Sequence, residues 1–290
     1  EKLKLINYYF NTILVSIDLP TMKIINYHLY IIGLIPARYQ SSRLPGKPLL
    51  KFGTETMIQK VYQQTIQSEL IDKAYVLTDD IRVKESVEEI GGNCLMITDE
   101  CLNGTERICI AICKFPELFQ NVKYIVNVQG DEPYINPKHI DTAIRKMNES
   151  KEKLISNSNI KCSTLHYRIV KEEELNNTSI GKLVLNYNDE IMYCSRNCIP
   201  ANKSQGPNLK YASANCNYYA HIGLFVFDFE YLKNNYYNKP NTPLQLEEDI
   251  EWLKLLEQGN RIVSSCVDDY EIGVNLPEDY QYLLNKYQLN

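Results

Sequence analysis

The chain has 290 residues, of which 44% are hydrophobic and 23% are charged, and this ordinary composition excludes a disordered, collagen-like or coiled-coil protein. Its formal net charge of −5 argues against a protein that binds DNA or RNA, because such proteins usually carry a basic surplus. No apolar run approaches the roughly 18 residues that a membrane-spanning helix needs, so we expect neither a nucleic-acid partner nor a membrane partner.

The amino-terminal segment, residues 1–28, lacks the basic start and the cleavage site of a signal peptide, and it is poor in the Arg and Ser of a transit peptide. We interpret it as an extension of unknown role and hypothesise that translation starts at Met22. The remaining residues, 29–290, are expected to form a single domain.

From Tyr30 onward, short apolar runs alternate with helical patterns. The predicted strands are 30–37, 74–79, 94–98 and 124–128, and the predicted helices are 55–68, 81–90 and 105–114. Continuous apolar strands that alternate with helices predict an α/β fold with a parallel sheet buried on both faces. Ligands bind such sheets at the carboxyl ends of the strands. We therefore expect four loops to converge on one crevice: 36–48, 78–80, 102–107 and 129–133.

The segment 150–245 has a different pattern. Its apolar runs are short or alternate with polar residues, at 163–169, 181–187, 190–196 and 218–227. These runs predict an antiparallel extension that stays close to the same sheet. Residues 246–258 have apolar residues at helical spacing and predict one helix, which Gly259 ends. A last helix is predicted to begin near Pro277.

Nine cysteines in a chain of this size indicate reduced thiols and a cytoplasmic location rather than a disulfide framework. Two pairs have the spacing i, i+4: Cys109 with Cys113, and Cys194 with Cys198. A structural zinc site is one interpretation of these pairs. Since no His lies nearby in sequence, small buried hydrophobic residues are the better interpretation.

The loop PARYQSSRLPGKP (36–48) holds Arg38, Arg43 and Lys47 directly after the first predicted strand. Guanidinium groups grip phosphate oxygens, and Gly and Ser allow backbone N–H groups to approach, so the loop suits a triphosphate. It contains neither the Walker A sequence nor the GxGxxG of dinucleotide-binding folds. The alternative is a solvated basic loop, but three cations at the carboxyl end of a strand favour phosphate binding.

The second candidate is VNVQGDEP (126–133), in which an apolar strand runs directly into Gln129 and Asp131. Mg²⁺ prefers one or two carboxylates together with substrate phosphates, so Asp131 is the expected metal ligand. Alternatively, the acidic pair only turns the chain. This motif alone leaves both interpretations open.

Seven motifs together point to a family. They are IPARYQSSRLPGKPL (35–49), VLTDD (76–80), NGTER (103–107), VNVQGDEP (126–133), YCSRNCIP (193–200), HIGLFVF (221–227) and GVNLPEDY (273–280). Over about residues 30–288 the chain resembles the 3-deoxy-manno-octulosonate (Kdo) cytidylyltransferases, also called CMP-Kdo synthetases. The resemblance implies a Rossmann-like nucleotide-diphospho-sugar transferase fold, in which a mostly parallel sheet is flanked by helices. It also implies a small antiparallel extension, about residues 185–245, through which a homodimer forms.

The reaction that this resemblance implies joins CTP to a 2-keto-3-deoxy sugar acid, with Mg²⁺ as cofactor, and gives a CMP-sugar and pyrophosphate. The expected catalytic residues are Arg38, Arg43, Lys47 and Asp131. The nucleotide is expected to contact Ala37, Arg38, Lys47, Thr78, Asp79, Gly104, Thr105 and Gln129. The sugar acid is expected to contact Gln129, Arg196, His221 and Glu251, and the metal Asp131 and Asn275. For three of the sugar residues simpler interpretations stay open: a solvated Arg196, a core His221 and an exposed Glu251 on a helix face.

The chain departs from the family pattern at several positions. Asn275 stands where the family has an Asp that holds a second Mg²⁺, and an amide oxygen coordinates without charge, so metal affinity should fall. Trp252 and Lys254 replace a Gln and an Arg, and Asn103 replaces a Ser. Two alternatives therefore stand beside Kdo activation. One is a cytidylyltransferase for another acidic sugar, such as 8-amino-Kdo or a sialic-acid-like sugar, and the other is a nucleotide-binding homologue without turnover.

Overall fold

The structure is a computed structural model that describes residues 14–18, 23–41, 43–153, 159–201, 203, 209 and 217–289. The strands are β1 (Leu14–Asp18), β2 (Lys23–Tyr27), β3 (Tyr30–Pro36), β4 (Lys51–Phe52), β5 (Glu55–Thr56), β6 (Lys73–Thr78), β7 (Cys94–Met96), β8 (Val122–Val128), β9 (Ile160–Arg168), β10 (Lys182–Leu185), β11 (Ile191–Ser195), β12 (Tyr219–Asp228) and β13 (Arg261–Cys266). The helices are α1 (Met57–Ile66), α2 (Ile81–Glu89), α3 (Gly104–Lys114), α4 (Pro137–Lys153), α5 (Glu172–Asn176), α6 (Phe229–Tyr231), α7 (Pro243–Glu248), α8 (Leu253–Glu257) and α9 (Pro277–Lys286). The hypothesis about Met22 lies outside the described residues.

A nine-stranded sheet organises the described part of the chain. Its order is β11-β10-β12-β8-β3-β6-β7, with β9 paired to β12 and β13 paired to β9. β3 pairs in parallel with β6 and β8, and β6 with β7. β12 pairs antiparallel with β8, β9 and β10. The prediction of a parallel first half that continues into antiparallel strands is confirmed, and the parallel pair β9–β13 adds to it.

Helices cover both faces of this sheet, and the sequence of β3 shows why. Alternate side chains of a strand point to opposite faces. Ile32 and Leu34 pack into one apolar cluster, with α3 and the residues around α8, whereas Ile31 and Ile35 pack into the other, with α1, α2 and α4. Because both faces are buried, the strand is apolar throughout, as the sequence pattern predicts.

Strand β12 forks the sheet at Gly223. Along one edge β12 pairs with β9 from Tyr219 to Phe227. The other edge is divided, because β10 pairs with Tyr219 and Ala220, whereas β8 pairs from Leu224 onward. A Cβ atom on Gly223 would lie 2.7 Å from Glu132 Oε1, so the loop that follows β8 enters this gap. Such a switch in strand pairing is where α/β sheets bind ligands.

The prediction of one helix over 246–258 is wrong. The structure has two short helices, α7 and α8, and Asp249 between them has a φ of 50°. This left-handed conformation interrupts the helix, and Asp tolerates it better than most residues do. The apolar spacing misleads because Ile250, Trp252 and Leu253 are buried in the turn as well as in α8. Gly259, with a φ of 76°, ends α8 as predicted.

Two further expectations concern the outside of the fold. Within the described residues, no helix is both long enough and apolar enough to cross a membrane. The segment 185–245, predicted to form the dimer, divides into a peripheral strand, β11, and strand β12, which pairs with three neighbours inside the sheet. Only its β11 part is therefore placed at an edge of the described sheet.

Candidate active site

A cleft of about 720 Å³ opens at the carboxyl ends of β3 and β8 and beside the fork in β12. Three of the four loops predicted to converge line it, namely 36–48, 102–107 and 129–133. The predicted site residues in its lining are Ala37, Arg38, Arg43, Lys47, Gly104, Gln129, Asp131, Arg196, His221, Glu251 and Asn275. The fourth loop, 78–80, lies behind the lining and supports it, as shown below.

The first loop presents three cations to the cleft. Arg38 and Arg43 are exposed, and neither forms an ion pair within the part of the chain that the structure describes. Lys47 Nζ donates hydrogen bonds to Asp131 Oδ2 at 2.7 Å and to the carbonyl oxygen of Val274 at 3.0 Å. Guanidinium groups without an ion pair among the described residues, beside a lysine, suit a polyanion.

Tyr39 fixes the path of this loop. Its ring stacks on the Arg82 guanidinium of α2, with the guanidinium carbon 3.6 Å from the ring centroid. Its backbone N–H donates to Asp79 Oδ1 at 3.1 Å, and its carbonyl oxygen accepts from the N–H of Gly46 at 3.2 Å. Gly46 has a φ of 70°, which suits a residue without a side chain. The loop is therefore held at both ends before any ligand binds.

The loop after β8 is pressed against the end of β3. A Cβ atom on Gly130 would lie 2.6 Å from the carbonyl oxygen of Pro36, so only glycine permits this approach. The carbonyl oxygen of Asp131 accepts from the N–H of Val274 at 2.8 Å. Together with the bonds from Lys47, these contacts bring three of the seven sequence motifs to one point.

Glu132 is a cleft residue to which the sequence analysis gives no role of its own. Its side chain is buried, and Oε2 has no hydrogen-bond partner among the residues that the structure describes. Burial, followed by the charge of Asp131, raises the pKa of Glu132 to about 8, although the Gly223 N–H and the Tyr270 hydroxyl oppose this shift. The position of Glu132 next to Asp131 is the one signal that the sequence offers for its place in the cleft. The sequence does not show that the Glu132 side chain points into the protein.

Glu251 points into the cleft from the turn between α7 and α8, not from a helix face. Its Oε2 accepts from the N–H of Thr105 at 3.0 Å, in the first turn of α3, and its Oε1 accepts from Asn127 Nδ2 at 3.3 Å. Burial raises the pKa of Glu251, and hydrogen bonds from Thr105 and Gln129 oppose that effect. The exposed-face interpretation of Glu251 is therefore wrong.

The segment 273–279 brings polar groups to the same cleft. Asn275 and Asp279 both line it. Asp279 Oδ2 accepts from the N–H groups of Asn275 and Leu276, each at 2.8 Å, and so begins helix α9. The carboxylate of Asp131 and the amide oxygen of Asn275 are hard oxygen donors, and Asp131 already binds a cation, the Lys47 ammonium. This donor chemistry fits Mg²⁺ that arrives with phosphate ligands.

His221 and Arg196 both lie in the cleft lining, in different environments. The His221 ring packs 4.9 Å from Phe225 and 5.1 Å from Trp252, and burial lowers its pKa to about 3, so the ring is neutral. The Arg196 guanidinium donates to backbone carbonyl oxygens, among them that of Asp249 at 2.8 Å. Trp252 thus borders His221, while Lys254 points elsewhere and donates to the carbonyl oxygen of Lys239.

The remaining predicted nucleotide residues lie behind the lining. Thr78 and Thr105 are fully buried. Asp79 Oδ2 accepts from Arg107 Nη2 at 3.3 Å. Arg107, in NGTER, was given no separate role by the sequence analysis, yet it is buried, lines the cleft and also donates to the carbonyl oxygen of Ile97. Asn103 accepts from the N–H of Glu106 at 2.9 Å and begins α3, as a Ser there would.

We expect His166, which pairs with His221 across β9 and β12, to contribute a fall of about 2 kcal/mol in the free energy of unfolding between about pH 7 and pH 5. Burial lowers the pKa of His166 from 6.5 to about 4. The folded ring therefore stays neutral while the unfolded chain takes up a proton, which favours unfolding as the pH falls. Urea unfolding at both pH values should show that, relative to the wild type, His166→Asn lacks this fall of about 2 kcal/mol. An equal effect in both proteins would contradict this assignment.

Comparison with known proteins agrees with this arrangement. A family model described as "Cytidylyltransferase" matches residues 32–262. A 3-deoxy-manno-octulosonate cytidylyltransferase from Protochlamydia amoebophila is 39% identical over 249 residues, which cover 86% of this chain and 91% of the relative. One from Zea mays is 36% identical, covering 86% of this chain and 78% of the relative. A solved structure, CMP:2-keto-3-deoxy-manno-octonic acid synthetase complexed with CTP, has a TM-score of 0.77 and 29% identity, covering 90% of this chain and 100% of that one.

The sequence similarity extends over most of both chains, and the fold matches over nearly the whole chain. Six of the seven motifs that carry the resemblance line one cleft, where loop 36–48, loop 129–133 and segment 273–279 are joined through Lys47 and Asp131. The chain therefore belongs to the 3-deoxy-manno-octulosonate cytidylyltransferase family.

Proposed function

We propose that this protein transfers CMP from CTP to the anomeric hydroxyl group of Kdo and releases pyrophosphate. The observation that carries the proposal is the cleft itself. It combines the exposed guanidinium groups of Arg38 and Arg43 with the Lys47–Asp131 pair, and its lining continues to His221 and Glu251. The names of the curated relatives and of the CTP complex support the same reaction.

In this reaction the sugar hydroxyl oxygen attacks the α-phosphorus. A new P–O bond forms, the bond between the α-phosphorus and the pyrophosphate oxygen breaks, and the proton of the hydroxyl group is released to water. The protein contributes by positioning and by neutralising charge. Arg38, Arg43 and Lys47 bind the triphosphate and stabilise the charge that grows on the leaving pyrophosphate.

The sugar acid offers many hydroxyl groups and one carboxylate. Gln129, neutral His221 and the carboxyl group of Glu251 supply hydrogen-bond partners along the cleft, beside the Trp252 ring. Arg196 brings positive charge to the same lining, although most of its donors already bind backbone carbonyl oxygens. We assign this part of the cleft to the sugar acid.

Mg²⁺ is the cofactor that we propose, with Asp131 and Asn275 as its protein ligands. Bound there with the triphosphate, the ion would neutralise phosphate charge and polarise the α-phosphoryl group. The lining position of both residues and the oxygen chemistry of their side chains support this assignment.

Restoring a carboxylate in Asn275→Asp is expected to lower the Mg²⁺ concentration for half-maximal activity by about tenfold, because a charged ligand replaces a neutral one. Calorimetric titration of Mg²⁺ into the CTP complex should show the same gain in affinity. Asn241→Asp, outside the cleft lining, serves as the matched control and should change neither value. Unchanged Mg²⁺ affinity in Asn275→Asp would show that residue 275 is not a ligand of the metal.

Pyrophosphate release from CTP, measured over a panel of Kdo, 8-amino-Kdo and sialic-acid-like sugars, tests the function. We expect the highest kcat/KM with Kdo, and mass spectrometry should identify CMP-Kdo. A higher kcat/KM with another sugar acid would change the substrate that we assign but not the type of reaction, transfer of CMP to a sugar acid. CTP binding without turnover on any sugar acid, at any Mg²⁺ or Mn²⁺ concentration, would overturn the proposed enzyme function.

We also propose a homodimer in the cytoplasm. Exposed apolar side chains on and beside the β10–β11 hairpin support the dimer, with Met192 65% exposed and Tyr187 fully exposed. The cytoplasmic location is supported by the eight cysteines of the described residues, which are all free thiols. Sedimentation equilibrium should give twice the chain mass for the wild type and a shift toward monomer for Met192→Glu. A monomeric wild type would refute the dimer.

A further inference from the structure

Three separate chain segments, 177–181, 194–196 and 245–251, line the cleft together, and we call them the sugar-side wall. Segment 177–181 precedes β10, segment 194–196 is the end of β11 with the residue after it, and segment 245–251 includes the turn that carries Glu251. None of these segments forms a continuous element with another. Backbone pairing of β10 with β11, at Lys182 and Ser195, brings the first two segments side by side, and hydrogen bonds that involve side chains hold the third segment against them.

Lys182 joins the first two segments. Its side chain is completely buried, and its ammonium group donates to the carbonyl oxygens of Asn177 at 2.7 Å, Ile180 at 3.0 Å and Arg196 at 2.7 Å. An ammonium group has three donors, and all three are used here. A buried charge is costly unless hydrogen bonds satisfy it, and here the three carbonyl oxygens satisfy the Lys182 ammonium group.

Arg196 and Glu248 join the third segment to the other two. The Arg196 guanidinium donates to the carbonyl oxygens of Ser179 and Glu248, both at 2.9 Å, and to that of Asp249 at 2.8 Å. In return, the Glu248 carboxylate accepts from the N–H of Arg196 at 2.8 Å and from Ser195 Oγ at 2.7 Å. Asp249 has its left-handed conformation at this junction, two residues before Glu251.

We propose that Lys182 is a positioning residue for the sugar acid: by holding the carbonyl oxygens of Asn177, Ile180 and Arg196, it fixes the sugar-side wall and the groups that face the sugar. This inference rests on the proposed function. Lys182 lines up with Ala220 across β10 and β12, and the N–H of the next residue, His221, donates to the carbonyl oxygen of Gly181 at 2.9 Å. Displacement of segment 177–181 would therefore also move His221.

Lys182→Met keeps the aliphatic stem and removes the three donors. We expect the KM for the sugar acid to rise about tenfold or more, which corresponds to about 1.4 kcal/mol, while the KM for CTP changes by less than about twofold. The described residues of loop 36–48 share no hydrogen bond with Lys182, whose three donors are all used elsewhere, and this is why CTP binding should be spared.

The matched control is Lys254→Met. Lys254 is equally buried and donates to the carbonyl oxygen of Lys239 at 2.8 Å and to Asn241 Oδ1 at 3.3 Å, but it does not line the cleft. The Lys254→Met variant should be less stable than the wild type, but its KM for the sugar acid should not rise selectively over its KM for CTP. Equal changes in both KM values for folded Lys182→Met, or the same selective rise in Lys254→Met, would overturn the positioning role.

Hydrogen–deuterium exchange separates this inference from the proposed function, because it needs no turnover. In Lys182→Met the amides of segments 177–181 and 248–251 should exchange faster than in the wild type, while those of loop 36–48 should not change. Unchanged exchange in the wall would refute the inference even if the wild type makes CMP-Kdo. If the wild type makes no CMP-sugar, the proposed function is wrong. The exchange rates in Lys182→Met then still show whether Lys182 holds the sugar-side wall in place. Should Lys182→Met not fold, Glu248→Gln is expected to give the same pattern more weakly.

Discussion

Asp131→Asn is expected to lower kcat by at least roughly a thousandfold, or about 4 kcal/mol of transition-state stabilisation, while the protein stays folded. The carboxylate lies 2.7 Å from Lys47 Nζ in the cleft, and the backbone carbonyl of the same residue accepts from Val274. Asn keeps the shape and the backbone bond but removes the charge that faces the cations. Pyrophosphate release at saturating CTP and Kdo, together with the melting temperature, measures both parts of the expectation.

A matched control for this substitution exists outside the cleft. Asp189 also lies 2.7 Å from a lysine, Lys146, and its φ of 58° is one that Asn tolerates as well as Asp does. Asp189→Asn should therefore leave kcat unchanged. Wild-type turnover in Asp131→Asn, or an equal loss in Asp189→Asn, would remove Asp131 from the catalytic site.

Lys47→Met is expected to lower kcat/KM for CTP by about a hundredfold or more, since an ammonium group no longer binds the triphosphate. The same substitution also frees the carbonyl oxygen of Val274, which accepts from Lys47 at 3.0 Å. Calorimetry should show weaker CTP binding, and the steady-state rates should show the larger loss with CTP rather than with the sugar acid.

The control for this change is Lys146→Met. The two lysine side chains are 17% and 16% exposed, and each lies 2.7 Å from an aspartate. Lys146→Met should therefore reproduce any loss of stability without the loss of CTP binding. Combining Lys47→Met with Asp131→Asn should cost little more than Asp131→Asn alone, because the two residues act as one unit. Fully additive losses would show that they act independently.

The strands and the first two loops could be predicted because their signals are local. The continuous apolar residues of β3 and β8 require burial on both faces, and a parallel sheet brings the following loops to one edge. Arg38, Arg43 and Lys47 lie within ten residues of each other, so their convergence needs no long-range contact. The cleft lining bears out that part of the interpretation.

The helix over 246–258 could not be predicted correctly, because apolar spacing reports burial and not backbone continuity. Ile250 and Trp252 are buried, as a helix would bury them, yet Asp249 turns the chain. The turn is stabilised by Arg196, which is distant in sequence and donates to the carbonyl oxygen of Asp249. A tertiary contact of this kind leaves no periodic signal.

The inward-facing charges were missed for the same reason. Lys182 stands in a short strand, where a sequence pattern favours an exposed ammonium group, and only the three carbonyl oxygens around it explain its burial. Arg107 is similar, because Asp79 and the carbonyl oxygen of Ile97 accept its hydrogen bonds. Such partners are far apart in the chain and meet only in the folded protein.

Strand β12 has a consequence for how such an enzyme can diversify. Its divided edge, with β8 on one side of Gly223 and β10 on the other, borders both halves of the cleft, but different cations hold the loops of each half, Lys47 in one and Lys182 in the other. Under the proposed function, substitutions within 177–181 can therefore alter the choice of sugar acid and leave CTP binding unchanged. Specificity for the nucleotide and specificity for the sugar acid can then change independently of each other in one protein.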